Sequence, residues 1–152
     1  MGTQACTYIL ACYLSGKSLK LIGRKLALTL SFFLLTCQLL GMGSVYWTSD
    51  SFQFLSLAFV AQVCGGMGAG LNSTASLAVL TSHYPEQRED IMGYFEAAVG
   101  LGFLLGPLIG AGLYALGGFT VPFYGLSLLY ILLMPLLIYV AYLVEQAEAD
   151  QA

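Results

Sequence analysis

The chain has 152 residues, of which 59 % are apolar and 9 % charged, with a formal net charge of −3. Soluble domains carry about 25 % charged residues, so this chain lacks the charge to cover a water-facing surface and its solvent is lipid. The same composition excludes a nucleic-acid surface, because four of the five basic residues (Lys17, Lys20, Arg24 and Lys25) sit between long apolar runs and only Arg88 lies elsewhere.

Taken in order, the chain opens on Thr3–Ser15, which is apolar but shorter than the roughly 20 residues a membrane-crossing helix needs; it reads as a truncated span. Met1–Leu10 has no basic n-region and no cleavage site, so no secretory signal peptide is expected. The segment 16–25 then reads as a basic connection. Residues 26–46 and 52–80 are two uncharged spans joined by 47–51. A third span, 91–116, follows the connection 81–90 and holds one charge, Glu96. The segment 117–121 leads to a fourth uncharged run, 122–144, with Pro122 suited to a first helical turn. Backbone groups in lipid must be satisfied within their own segment, which favours helices over short alternating barrel strands. The expected fold is therefore all-α, a polytopic transmembrane helical bundle over residues 1–152. All five basic residues fall at one end of an antiparallel set of helices, which places that end and the C-terminus in the cytoplasm.

Chemistry-bearing groups are few. Cys6, Cys12, Cys37 and Cys64 form no C-x-x-C pair, and with the single His83 they offer no metal set. No nucleophile–base constellation is evident, so neither an enzyme nor a cofactor is expected. Asn72-Ser73-Thr74 fits the glycosylation pattern but lies inside an apolar run, where it reads as coincidence. Glu96 is the one ionisable group well inside a span; a carboxylate there is costly and should face a cavity or a partner. Gln62, Gly66, Ala69, Ser73 and Ser76 form a small or polar helical face that either lines a water-filled path or packs on a neighbour. Gln62, Asn72 and Glu96 are the candidates for a substrate or proton pathway. Gly102, Gly106 and Gly110 recur at four-residue spacing around Pro107, making a smooth helix face with one backbone hydrogen bond removed. That face suits close packing or a rocking hinge.

These motifs resemble those of the major facilitator superfamily. Gly16, Gly23, Arg24 and Lys25 match its loop motif, although Lys20 stands where an acidic residue is usual. Gln62 takes the place of an arginine that often serves proton coupling. Gly102-Phe-Leu-Leu-Gly106-Pro107-Leu-Ile-Gly110-Ala111 resembles the motif of the proton-coupled antiporter branch, with Ala111 replacing the final glycine. With Tyr84-Pro85-Glu86-Gln87-Arg88, Tyr94-Phe95-Glu96 and Gly117-Gly118-Phe119 around it, the segment is similar to the vesicular amine transporter-like group. The resemblance covers the second to sixth helices of an N-terminal half. It implies proton-linked exchange of a small organic cation, an amine or drug, by alternating access. It also implies a multi-pass protein of the plasma membrane or an intracellular vesicle membrane, with a gating role for the 16–25 motif and a missing C-terminal half as partner. The alternative is a truncated, non-transporting membrane scaffold that assembles with another membrane subunit through its glycine faces.

Overall fold

The structure, a computed structural model, describes residues 2–84 and 86–149. Pro85 and the side chains of Lys20 and His83 lie outside what is described. Every long element is helical: α1 Gly2–Ile22, α2 Arg24–Ser44, α3 Ser51–His83, α4 Arg88–Gly117 and α5 Thr120–Ala149, with a single 3₁₀ turn at Val45–Trp47. Four of them (α2 to α5) are long and apolar enough to cross a membrane. α1 has 21 residues and is not among the four.

The connection after α1 is shorter than the basic segment 16–25. The helix runs on through Lys17-Ser18-Leu19-Lys20, because Leu and Lys are good helix formers. Gly16 is helical, and Gly23 alone makes the turn, at φ +81°, where only glycine is free of strain. Its N–H still donates to the Leu19 carbonyl at 3.1 Å before α2 begins at Arg24. Gly118, at φ +79°, ends α4 in the same way, donating to the Tyr114 carbonyl at 2.8 Å.

Successive helices run antiparallel, and cross-links at both ends show it. At the end bearing the basic residues, Arg24 donates from Nη1 to the Ser82 hydroxyl at 2.9 Å, joining α2 to α3. There Lys25 Nζ also lies 5.0 Å from the ring centre of Tyr142 on α5, an attraction between cation and ring face. The Tyr142 hydroxyl accepts from Gln146 Nε2 at 2.8 Å. At the opposite end an aromatic cluster joins the 3₁₀ turn after α2 to the α4–α5 turn: Tyr46 stacks on Phe119 at 6.5 Å, and Phe119 meets Phe123 at 5.1 Å.

The interior is built of small residues. Ala27, Ser31 and Ala75 are fully enclosed, while Phe52, Phe103 and Leu116 are each at least 80 % exposed. Lipid is as apolar as a leucine side chain, so large residues gain nothing by turning inward, and helices associate by close approach instead. α3 is the wedge. Gly65 and Gly68 face α2, against Gln38 and Leu35, while Gly66 and Gly70 face α1. A Cβ on Gly70 would lie 2.8 Å from both the Ala11 Cβ and the Tyr8 carbonyl oxygen. Between α2 and α3 the Ser31 hydroxyl donates to the Leu28 carbonyl at 2.7 Å and lies 3.3 Å from Asn72 Oδ1. α2 then carries α5, through Phe32 on Tyr130 and through Gly43 against Phe123 and Tyr124.

α4 is different. None of its residues is buried. A Cβ added at Gly93, Gly100, Gly102, Gly106, Gly110 or Gly112 would meet nothing within 4 Å. The two glycine-rich helices therefore predict opposite mutational responses. Gly70→Val should lower the thermal midpoint of the detergent-solubilised chain, by about 1–3 kcal/mol of overpacking. Gly93→Ala should leave it unchanged or raise it, since alanine is about 0.5–1 kcal/mol better than glycine inside a helix.

Candidate functional site

α1, α3 and α4 enclose a cleft of about 540 Å³ in the half of the bundle nearer the basic end. α1 contributes Tyr8; α3 contributes Ser73, Thr74 and Thr81; α4 contributes Arg88, Phe95 and Glu96. The spacing explains the convergence. Ser73, Leu77 and Thr81 recur every four residues on α3, and Arg88, Met92, Phe95 and Val99 recur every three or four on α4, so each set forms one stripe. On α4 that stripe continues upward through Gly102, Gly106 and Gly110, whose outer side is open.

The cleft is rich in acceptors. Thr74 donates its hydroxyl proton to the Gly70 carbonyl at 2.9 Å, and Thr81 donates to Leu77 at 2.7 Å. With those protons engaged on their own helix, both oxygens keep lone pairs free to accept. Glu96 adds a carboxylate, and it is exposed along the open side. Tyr8 and Phe95 supply aromatic rings, whose faces attract cations. Hydroxyl acceptors, one acid and two rings together suit an N–H donor on an apolar body. Arg88 lines the same cleft, and no ion pair joins it to Glu96 among the described residues.

The residues singled out from the sequence do not all meet here. Glu96 lines the cleft. Asn72 lies instead between α3 and α2, beside Ser31, where it serves helix contact. Gln62 lies one turn before Gly66, and its buried Oε1 has no hydrogen-bond partner among the described residues. Gly16 faces open space within α1, Gly23 turns the chain, Arg24 reaches Ser82, and Lys25 covers Tyr142. Gly102, Gly106, Pro107 and Gly110 form the open stripe above Glu96. Tyr8, Thr74 and Thr81 were missed by sequence reasoning. The seven-residue spacing of Thr74 and Thr81 on α3 was the available signal, but threonine in a lipid-facing helix so often bonds its own backbone that the pattern alone carries little weight. Among the described residues no group of acid, cysteine and histidine side chains could hold a metal ion.

The family model for the Major Facilitator Superfamily matches residues 1–151. The MFS-type transporter SLC18B1 of Mus musculus is 30 % identical over 139 residues, covering 91 % of this chain and 30 % of the relative. The Homo sapiens protein of the same name is 29 % identical over 139 residues, again covering 91 % of this chain and 30 % of the relative. The Synaptic vesicular amine transporter of Homo sapiens is 36 % identical over 86 residues, covering 55 % of this chain and 16 % of that protein. The chain thus spans about a third of the length of the SLC18B1 relatives it matches. No solved structure is a significant match.

A buried amide oxygen without a partner costs about 1–3 kcal/mol. Gln62→Met removes that atom at similar volume, so the variant should melt no lower than the parent chain in detergent. A drop of several degrees would mean that the Gln62 amide makes a stabilising hydrogen bond in the folded chain.

Proposed function

Because the chain belongs to the major facilitator superfamily, a family of multi-pass membrane transporters, we propose that it forms most of one half of a transporter that exchanges a small organic cation for protons by alternating access. The observation that carries this reading is the cleft: Glu96, the acceptor oxygens of Thr74 and Thr81, and two aromatic rings gathered on three helices. The Homo sapiens relative named for vesicular amines supports the substrate class. In such folds two halves rock about a site near the membrane midplane, and this segment supplies one wall of it. Glu96 takes the ammonium in one state and a proton in the other, so the two compete for one carboxylate. The end bearing Lys17, Arg24, Lys25 and the end of α5 lies in the cytoplasm, because lysine and arginine favour that side. The membrane is the plasma membrane or that of an intracellular vesicle.

The open stripe of α4 supports a role for another helix. Gly102, Gly106 and Gly110 leave a smooth face on which a helix from the remainder of the transporter slides, with Pro107 easing the bend. The same open face is what a non-transporting scaffold would use to hold a second membrane subunit, and the two readings separate on transport. In the full-length protein reconstituted in vesicles, Glu96→Gln should reduce tyramine uptake driven by an imposed pH gradient at least about a hundredfold, the lower end of what a positioned proton-transfer group contributes. Equal uptake by this variant at equal insertion would remove Glu96 from the mechanism. Gly106→Leu should abolish uptake while the protein still inserts, because a bulky side chain holds the two helices apart. If the full-length protein carries no organic cation under any gradient, the scaffold reading replaces transport.

A further inference from the structure

The cleft holds one charge of each sign, and the cation reading uses only one of them. Arg88 opens α4, and Glu96 lies eight positions further on, about 12 Å along the helix axis. Both line the same space, and no ion pair closes it among the described residues. Both side chains stand on flexible stems, so a solute placed between them can be met from either end. An arginine has five N–H donors in a planar fork that fits a carboxylate, and it does not lose its charge. A plain ammonium seated on Glu96 would feel that charge as repulsion.

We infer that the cleft takes a solute carrying both an ammonium and a carboxylate, with Glu96 receiving the first and Arg88 the second. This deepens the transport reading above and rests on it. The apolar body of such a solute lies along Phe95 and Met92, facing Tyr8 across the cleft. The ammonium shares the acceptor oxygens of Thr74 and Thr81, whose protons are held by their own helix. A neutral-overall solute also leaves both protein charges compensated, which matters more in a low-dielectric cleft than in water.

The test uses a matched pair. 6-Aminohexanoate and pentylamine differ only in the carboxylate, and the first carries its two charges at opposite ends of an apolar body, so their uptake ratio isolates what Arg88 adds. The full-length protein is reconstituted in vesicles with a pH gradient, and uptake of each is measured for the parent, Arg88→Gln, Arg88→Lys and Glu96→Gln. A unit charge about 12 Å away at an effective dielectric of about 20 changes an affinity about tenfold. 6-Aminohexanoate should therefore exceed pentylamine by at least about that factor in the parent. Arg88→Gln should lower 6-aminohexanoate uptake and raise pentylamine uptake, removing the preference. Arg88→Lys should keep the preference, which shows that the loss in Arg88→Gln is not misfolding. Glu96→Gln should lose both solutes. Pentylamine carried in preference to 6-aminohexanoate by the parent would overturn the inference and leave the transport reading standing. So would an Arg88→Gln variant that reduces both solutes by one factor. Normal insertion with neither solute carried, and no dissipation of the gradient by either, would overturn both.

Discussion

The contact between α3 and its two neighbours is the constraint on which the other positions depend. Gly66 and Gly70 meet α1 at backbone distance, and Gly65 and Gly68 meet α2, so one helix is fixed on two sides by four absent side chains. In water this arrangement would waste the hydrophobic effect. In lipid it is the available source of cohesion, because dispersion and backbone proximity reward close approach while burying a leucine rewards nothing. Once α1, α2 and α3 are locked, α2 offers Gly43 and Phe32 to α5, and α5 brings α4 alongside. The cleft follows from that order of dependence: it is the space left between the locked trio and a helix held from one side.

α4 is the element whose sequence and surroundings disagree most plainly. It holds seven glycines where α3 holds four, yet a Cβ at six of the seven would meet nothing within 4 Å and none of its residues is buried. A glycine inside a helix costs about 0.5–1 kcal/mol against alanine, and on α3 that cost is offset by contact. On α4 the offset is missing within this chain. The chain covers 30 % of the Mus musculus relative it aligns with, so the account of α4 as a moving face needs a partner helix from the remainder of such a protein.

Much of the architecture was legible because membrane solvent leaves few solutions. Uncharged runs of about 20 residues, backbone satisfaction and the one-sided placement of lysine and arginine are enough to state an antiparallel helical bundle. The boundary after α1 was less legible. The segment 16–25 reads as a connection, yet the helix passes through its first seven residues, because nothing stops it until Gly23 adopts positive φ. The site was partly legible. Glu96 announces itself by the cost of charge in lipid, but Asn72 looked equally polar and proves to lie beside Ser31 at a helix contact. A sequence shows that a polar group sits in a membrane helix. Which side it faces is decided by the rotation of that helix, and on α3 glycine contacts set the rotation.

The central claim is that Ser73, Thr81 and Glu96 border a water-filled substrate path while Ser31 and Asn72 do not. Accessibility measures it directly. Single cysteines are introduced at Ser73, Thr81, Ser31 and Asn72 in a full-length protein whose own cysteines are replaced, and labelling by a membrane-impermeant cationic thiol reagent is followed in sealed vesicles. The account predicts rapid labelling at Ser73→Cys and Thr81→Cys, slowed by transported solute, and little labelling at Ser31→Cys or Asn72→Cys. Equal labelling at all four positions, or labelling confined to the Ser31 and Asn72 sites, would contradict it.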